Sequence, residues 1–192
     1  MVSLIAEKFT TFETALGRCA IAWNDAGIAC LQLPAEDGGD IRRWRHRRVP
    51  GAVEEMPPPE VSTVMDAAVR YFRGEAIDFT GVAVDLRGQS DFFVRVYTAL
   101  RTVAYGRTTT YGTLAAELGA GPEAARDVGA AMATNPVPLI IPCHRVLAAG
   151  GKIGGFSAPG GATTKVKMLH LEGVQTLVKA PDAPSPQGTF GF

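Results

Sequence analysis

Apolar and polar positions along the chain change period several times. Near the N-terminus, two largely apolar stretches, 14–23 and 27–33, flank Asn24-Asp25-Ala26-Gly27, a turn by composition, and predict a β-hairpin over 13–33. Residues 37–48 switch to helical spacing: Ile41, Trp44 and Arg48 share one face and arginines fill the others, as on a solvated surface helix with an apolar stripe. Pro50-Gly51 ends that helix, and Met56-Pro57-Pro58-Pro59 is a stiff loop. A second helix, over 59–73, carries Val61, Val64, Met65, Ala68, Val69 and Phe72 at core-facing positions. Short strands are expected at 77–79 and 82–86, and Arg87-Gly88-Gln89-Ser90 reads as a linker.

Beyond the linker the pattern turns helical. Ser90 or Asp91 caps a helix over 91–103 that turns Phe92, Val96, Leu100 and Val103 inward. A helix over 111–118, a Gly119-Ala120-Gly121 turn and a helix from Pro122 or Glu123 to Thr134 make a helix-turn-helix outline. The second of these helices is crowded with Ala124, Ala125, Gly129, Ala130, Ala131 and Ala133, and bears one long cation, Arg126. Small side chains let a backbone approach another surface closely, but a tightly packed helix pair has the same composition. Leu139-Ile140-Ile141 reads as a short buried strand stopped by Pro142, which lacks an N–H for a ladder. A glycine-rich stretch over 148–161 matches no phosphate loop and suits a pocket rim. A last helix spans 163–171, and proline-rich residues 176–192 predict a disordered tail.

Composition narrows the class. The chain has 192 residues, 46% of them hydrophobic, with 19 basic and 19 acidic side chains, enough for real cores. No run of eighteen apolar residues is present, and the first ten residues lack a signal-peptide layout, so no membrane span is expected. Residues 1–90 hold ten Lys/Arg and thirteen Asp/Glu (net −3), and residues 91–175 hold eight and five (net +3). Such a mild bias is compatible with phosphate contacts without demanding them. Three cysteines, an odd number, argue for a reducing, cytoplasmic location. Cys19 and Cys30 are candidates to face each other across the hairpin. With no further Cys or His at ligand spacing they read as core residues, and no metal site is expected.

Cys143 is the candidate centre of chemistry. It follows the apolar stretch directly and is flanked by His144 and Arg145, groups that can favour thiolate over thiol. A buried structural cysteine is the competing reading.

Pro142-Cys143-His144-Arg145-Val146, with Asn135-Pro136 eight residues before the cysteine, resembles the active-site signature of the 6-O-alkylguanine-DNA alkyltransferases. Arg107-Thr108-Thr109-Thr110-Tyr111-Gly112, Ala124-Ala125-Arg126-Asp127-Val128-Gly129 and Gly154-Gly155-Phe156-Ser157 fall in that family's order and spacing. The resemblance implies an α+β fold. Residues 1–88 would form a ribonuclease-H-like N-terminal α/β domain with a small antiparallel sheet. Residues 89–175 would form a mostly helical, winged-helix-like domain carrying the cysteine. It further implies stoichiometric, irreversible transfer of an alkyl group from guanine O6, and possible action on thymine O4, to Cys143 after base flipping, by a cofactor-free monomer on the minor groove of duplex DNA.

The roles it implies are these. Cys143 is the nucleophile, His144 takes its proton through a water, and Glu172 orients His144. Tyr111 donates to the guanine ring, and Asn135 is a hinge. Ser157 holds the departing oxygen, the Cys143 and Val146 backbones read the exocyclic amine, Phe156 is an aromatic wall, and Arg145 joins the substrate-binding groups. Thr110, Tyr111, Ala124, Ala125 and Ala130 contact DNA, and Arg126 fills the gap left by the flipped nucleotide. Phe156 replaces a common Tyr, and Ala158-Pro159 lengthens the following loop, which bears on pocket width. Two rivals remain: an alkylated-DNA-binding module of the alkyltransferase-like kind, which lacks the cysteine, and a cysteine hydrolase or redox protein.

Overall fold

The structure, a computed structural model, describes residues 6–34 and 41–175. The expected hairpin is present as β2 (Gly17–Asn24) and β3 (Gly27–Gln32), but a further strand, β1 (Lys8–Thr14), precedes it and pairs antiparallel with β2. A two-residue strand, β4 (Val53–Glu54), adds parallel to β1, giving the order β3-β2-β1-β4. The thin apolar content of β1 explains why its period is hard to read. Phe9 and Phe12 lie on opposite faces, each serving a different layer.

Phe9, Ala20, Ala22 and Cys30 pack on one face against Trp44, Val49 and Ala52, and Cys19, Ile21 and Trp23 join the main core on the other. Cys19 therefore sits opposite Phe12 and Cys30 opposite Ala22. The two thiols occupy opposite faces of the sheet and do not meet.

Helix α1 (Ile41–Arg48) buries Trp44 edge-on to Phe9, with ring centroids 6.2 Å apart, and leaves Arg42, Arg43, Arg45 and Arg47 exposed. The expected start of this helix, at residue 37, lies outside the described residues, as does the expected tail. Helix α2 (Pro59–Tyr71) has Pro near its first turn and buries Val61, Val64, Ala68 and Tyr71. The strand expected at 77–79 does not form. The carbonyls of Phe79, Thr80 and Val82 are taken by the Arg101 guanidinium at 3.2, 2.7 and 2.6 Å, so no ladder is needed to satisfy them. Of 82–86, only Val84 makes a bridge, to Ile28. The approach there is close: a Cβ on Gly27, whose φ is +135°, would stand 2.5 Å from the Ala83 carbonyl oxygen.

Ser90 caps α3 (Asp91–Leu100), accepting from the Phe93 N–H at 3.3 Å. Thr110 caps α4 (Tyr111–Glu117) by accepting from the Thr113 N–H. A single 3-10 turn, Pro122–Ala124, leads into α5 (Ala125–Thr134). Strands β5 (Thr109–Thr110) and β6 (Val146–Leu147) pair in parallel, and α6 (Gly161–Leu171) completes the chain's regular structure.

Leu139–Ile141 is not a strand. Pro138 and Ile141 bridge each other across a tight turn in which Leu139 has φ of +78°, a left-handed conformation for a branched residue. Burial of all three apolar side chains holds the turn in place. One continuous cluster of buried residues runs from Cys19 and Ile21 in the sheet through Tyr97 and Leu100 to Cys143 and Met168, so both halves of the chain share it. Among the described residues no helix is long and apolar enough to cross a membrane.

Candidate active site

Asn135, which follows α5, shapes the loop that presents the cysteine. Its side-chain N–H donates to the Ile141 carbonyl at 2.9 Å and its side-chain oxygen accepts from the Val137 N–H at 3.0 Å. The N-terminal half grips the same point: the Leu31 N–H donates to the Pro136 carbonyl at 3.0 Å, and the Arg48 guanidinium to the Asn135 carbonyl at 3.1 Å. The loop so held delivers Cys143 at the start of a 3-10 turn, Cys143–Arg145. This corrects the strand expected before it. On a 3-10 turn successive side chains splay by about a third of a turn, so Cys143, His144 and Arg145 point to three different surroundings.

Cys143 is 5% exposed and lies on the floor of a cavity of about 720 Å³. Tyr111, Ala125, Arg126, Phe156 and Ser157 also line it. Ala158 and Pro159, the residues that lengthen the loop, do not. They border a smaller cavity of about 150 Å³ that reaches Cys143 from the side of Leu31 and Arg48. Burial raises the Cys143 thiol above its ordinary pKa, opposed by a hydrogen bond from Asn135 and by the charge of Lys165. At neutral pH the resting group is a thiol that needs a base.

A candidate base is adjacent in sequence. His144 is fully buried, its Nε2 stands 2.7 Å from Glu172 Oε1, and burial lowers its pKa, so the resting imidazole is neutral. Glu172, just past the end of α6, also accepts from Arg145 Nε and Nη2 at 2.9 Å each and from the Gly106 N–H at 3.0 Å. Burial alone would raise the carboxyl, but the His144 and Arg145 hydrogen bonds hold it down at about 2. A carboxylate beside a neutral imidazole takes the N–H, which assigns the ring proton to Nε2. Nδ1 is left buried with no partner among the described residues. It is the atom free to accept a proton.

Several expected site residues sit elsewhere than the sequence suggested. Arg145, grouped with substrate-binding residues, is buried in its ion pair with Glu172 and donates to the Val103 carbonyl at 2.6 Å. It does not line the cysteine's cavity. Ala124, grouped with the DNA-facing alanines, is only 8% exposed and belongs to the core. Ala125 is half-buried and Ala130 and Arg126 are exposed; Arg126 stands at the cavity edge and makes no ion pair among the described residues. Val146 is fully buried in β6, and its carbonyl accepts from Lys165 Nζ at 2.6 Å. Thr110 acts as a helix cap. Tyr111 leans over the glycine-rich rim: a Cβ on Gly154 would come within 2.9 Å of its hydroxyl. Gly154→Ala is therefore expected to displace the phenol and slow any reaction that uses it, with little change in melting temperature; an unaltered rate would show that Tyr111 is not held by this contact.

Two residues escaped the sequence reading. Tyr71, from α2, donates to Glu172 Oε1 at 2.9 Å and lies 3.3 Å from His144 Nε2. Lys165 is fully buried, brought down to about 8 by burial and pulled back up by Cys143. Each had a signal. Tyr71 continues the Val64, Ala68 stripe, where a buried phenol needs a partner. Lys165 shares a helical face with Met168 and Leu169, where a buried ammonium does too.

Residues 91–174 match the model of the 6-O-methylguanine DNA methyltransferase DNA-binding domain. A Mycobacterium tuberculosis methylated-DNA–protein-cysteine methyltransferase is 46% identical over 164 residues, 85% of this chain and 91% of that protein. A DNA base-flipping protein of Thermus thermophilus is 43% identical over 110 residues, covering 57% of this chain and 71% of its own length. Among solved structures, Mycobacterium tuberculosis OGT in complex with DNA superposes with a TM-score of 0.71 at 34% identity, covering 86% of this chain and 93% of that one. Sequence likeness over nearly the whole length and a shared mixed α+β architecture agree: the chain belongs to the methylated-DNA–protein-cysteine methyltransferase family.

Proposed function

We propose that the protein repairs alkylated duplex DNA by moving the alkyl group from guanine O6 to Cys143, once per molecule. The observation that carries this reading is a buried thiol on the floor of an open cavity, with a neutral imidazole and a carboxylate behind it and the Arg126 cation at the edge. The modified base is turned out of the stack into the cavity, with Phe156 as its wall. His144 Nδ1 takes the thiol proton through a water. The sulfur then attacks the alkyl carbon, forming S–C as C–O breaks. Tyr111, its pKa raised by burial and by Cys143, donates to the purine ring as charge develops there, and Ser157 holds the departing oxygen. The backbone of Cys143 reads the exocyclic amine; the Val146 carbonyl, held by Lys165 outside the cavity, is not given that part. The product is a thioether with no second thiol to reverse it.

In this reading α4 and α5, with β5 and β6 as a winged-helix-like support, bind the minor groove, which is only about 6 Å wide and favours the small side chains of α5. The N-terminal half is the ribonuclease-H-like unit over 1–88, with 89–175 carrying the site. The protein works as a monomer in the cytoplasm, where its three free thiols persist.

A duplex carrying one O6-methylguanine tests the reading. Nucleoside analysis should find the lesion lost to a plateau of one equivalent per protein. Binding with no loss would favour the second reading, a base-flipping module, which the Thermus relative's name supports. Arg126→Ala is expected to slow transfer on duplex about tenfold, because a flipped base costs a few kcal/mol that an inserted cation partly offsets. Transfer from the free alkylated base should stay unchanged, and equal losses on both substrates would remove that role from Arg126.

A further inference from the structure

The buried network behind Cys143 has a member that the reaction scheme above does not use. Tyr71 is fully buried on α2, its ring edge-on to His144 with centroids 6.2 Å apart. Its hydroxyl stands within reach of Glu172 Oε1 and of His144 Nε2 at once. We propose that Tyr71 is a positioning residue for the alkyl transfer, acting with Glu172 to hold His144 as the Nε2–H tautomer and keeping it neutral until the thiol's proton arrives. The proposal rests on Cys143 being the alkyl acceptor, and it gives the N-terminal half a part in the chemistry as well as in the packing.

The hydrogen-bond arithmetic argues for it. Tyr71 has one proton and the carboxylate has none, so the phenol donates to Glu172. Burial and then the Glu172 charge push the phenol far above its ordinary pKa, so it remains a donor throughout. Its oxygen then has only lone pairs to turn toward the imidazole, which favours a proton on Nε2 and leaves Nδ1 as the acceptor. The phenol also takes part of the carboxylate's charge. With it removed, Glu172 would bind a neighbouring proton more strongly, and the imidazolium would be favoured before any thiol had reacted.

Of the groups around His144, Glu172 takes the Nε2–H at 2.7 Å, and Tyr71, at 3.3 Å, is the second oxygen set against that nitrogen. Arg145, from the same 3-10 turn, and Lys165, from α6, disfavour the imidazolium by charge, but neither has a lone pair to offer Nε2. Cys143 lies next in sequence. Tyr105 points its hydroxyl to the Leu171 carbonyl, 2.6 Å away, and makes no bond to His144.

The test is the pH profile of single-turnover transfer to methylated duplex, with wild type, Tyr71→Phe and Tyr105→Phe compared. Tyr71→Phe should move the acid limb up by about one pH unit, so the rate below the limb falls about tenfold while the alkaline plateau stays within about threefold. Tyr105→Phe should leave the limb in place. A uniform fall at every pH, or an unmoved limb, overturns the proposal. Should Tyr71→Phe fail to fold, ¹⁵N-histidine NMR of the wild-type protein decides it. At neutral pH His144 should be the neutral Nε2–H tautomer, and an Nδ1–H tautomer or an imidazolium overturns it. If wild type itself transfers nothing, the proposed function fails at that point, separately from the tautomer result.

Discussion

Glu172→Ala is expected to lower stability by about 3–5 kcal/mol, as removal of one partner from a buried ion pair does, and to slow alkyl transfer about a hundredfold. The carboxylate is 4% exposed and accepts from His144, Arg145, Tyr71 and the Gly106 backbone. Alanine would leave the Arg145 guanidinium without its carboxylate, with only the Val103 carbonyl to donate to, and would free the Tyr71 hydroxyl to donate to Nε2 and unsettle the tautomer. Denaturant unfolding reads the first effect and single-turnover transfer the second. A change in unfolding midpoint under about 1 kcal/mol would mean that water or a shifted side chain replaces the carboxylate. The pH dependence has a definite sign. Glu172 has a depressed folded pKa, about 2 against an ordinary 4.5, so its stabilisation is fully present above about pH 4.5 and is lost as pH falls toward 2. The alanine variant should lack that acid-side loss.

Cys143→Ala should abolish transfer while binding of methylated duplex stays within about threefold, since the cavity edge, α5 and Arg126 are untouched. Stability should fall by no more than about 1 kcal/mol, because only one buried sulfur is removed. The other thiols cannot substitute. Cys19 is buried and pushed up to about 12, and Cys30 is buried and raised by the same cause. Residual transfer in the alanine variant would place the acceptor elsewhere and end the assignment.

What could be read in advance follows from where each signal lies. The pair of helices α4 and α5 was legible because its punctuation is local: the Gly119 turn and the Pro122 entry each act within one turn of chain, although the Thr110 cap went unread. β1 was not, because Phe9 and Phe12 serve opposite faces and leave no alternation to see. The segment over 77–79 has strand composition, yet the Phe79 carbonyl goes to Arg101, more than twenty residues away. No local pattern carries that information. Leu139-Ile140-Ile141 looks like a strand since burial, which composition reports, does not specify the turn that Asn135 and two prolines impose.

The site divides in the same manner. Cys143 and His144 are adjacent in sequence, and both lie at the site's centre. Arg145 is adjacent too, but the 3-10 turn sends it away from the cavity to Glu172, 27 residues on. Tyr71 meets His144 across 73 residues, and only the packing of α2 against the cysteine-bearing half brings them together.

Mass spectrometry of the intact wild-type protein after exposure to O6-methylguanine duplex tests the central claim most directly. The account predicts one added methylene's mass, about 14 Da per molecule, carried on the peptide containing Cys143. An unchanged mass, with all three thiols still titrating and the lesion still in the DNA after long incubation, would contradict it.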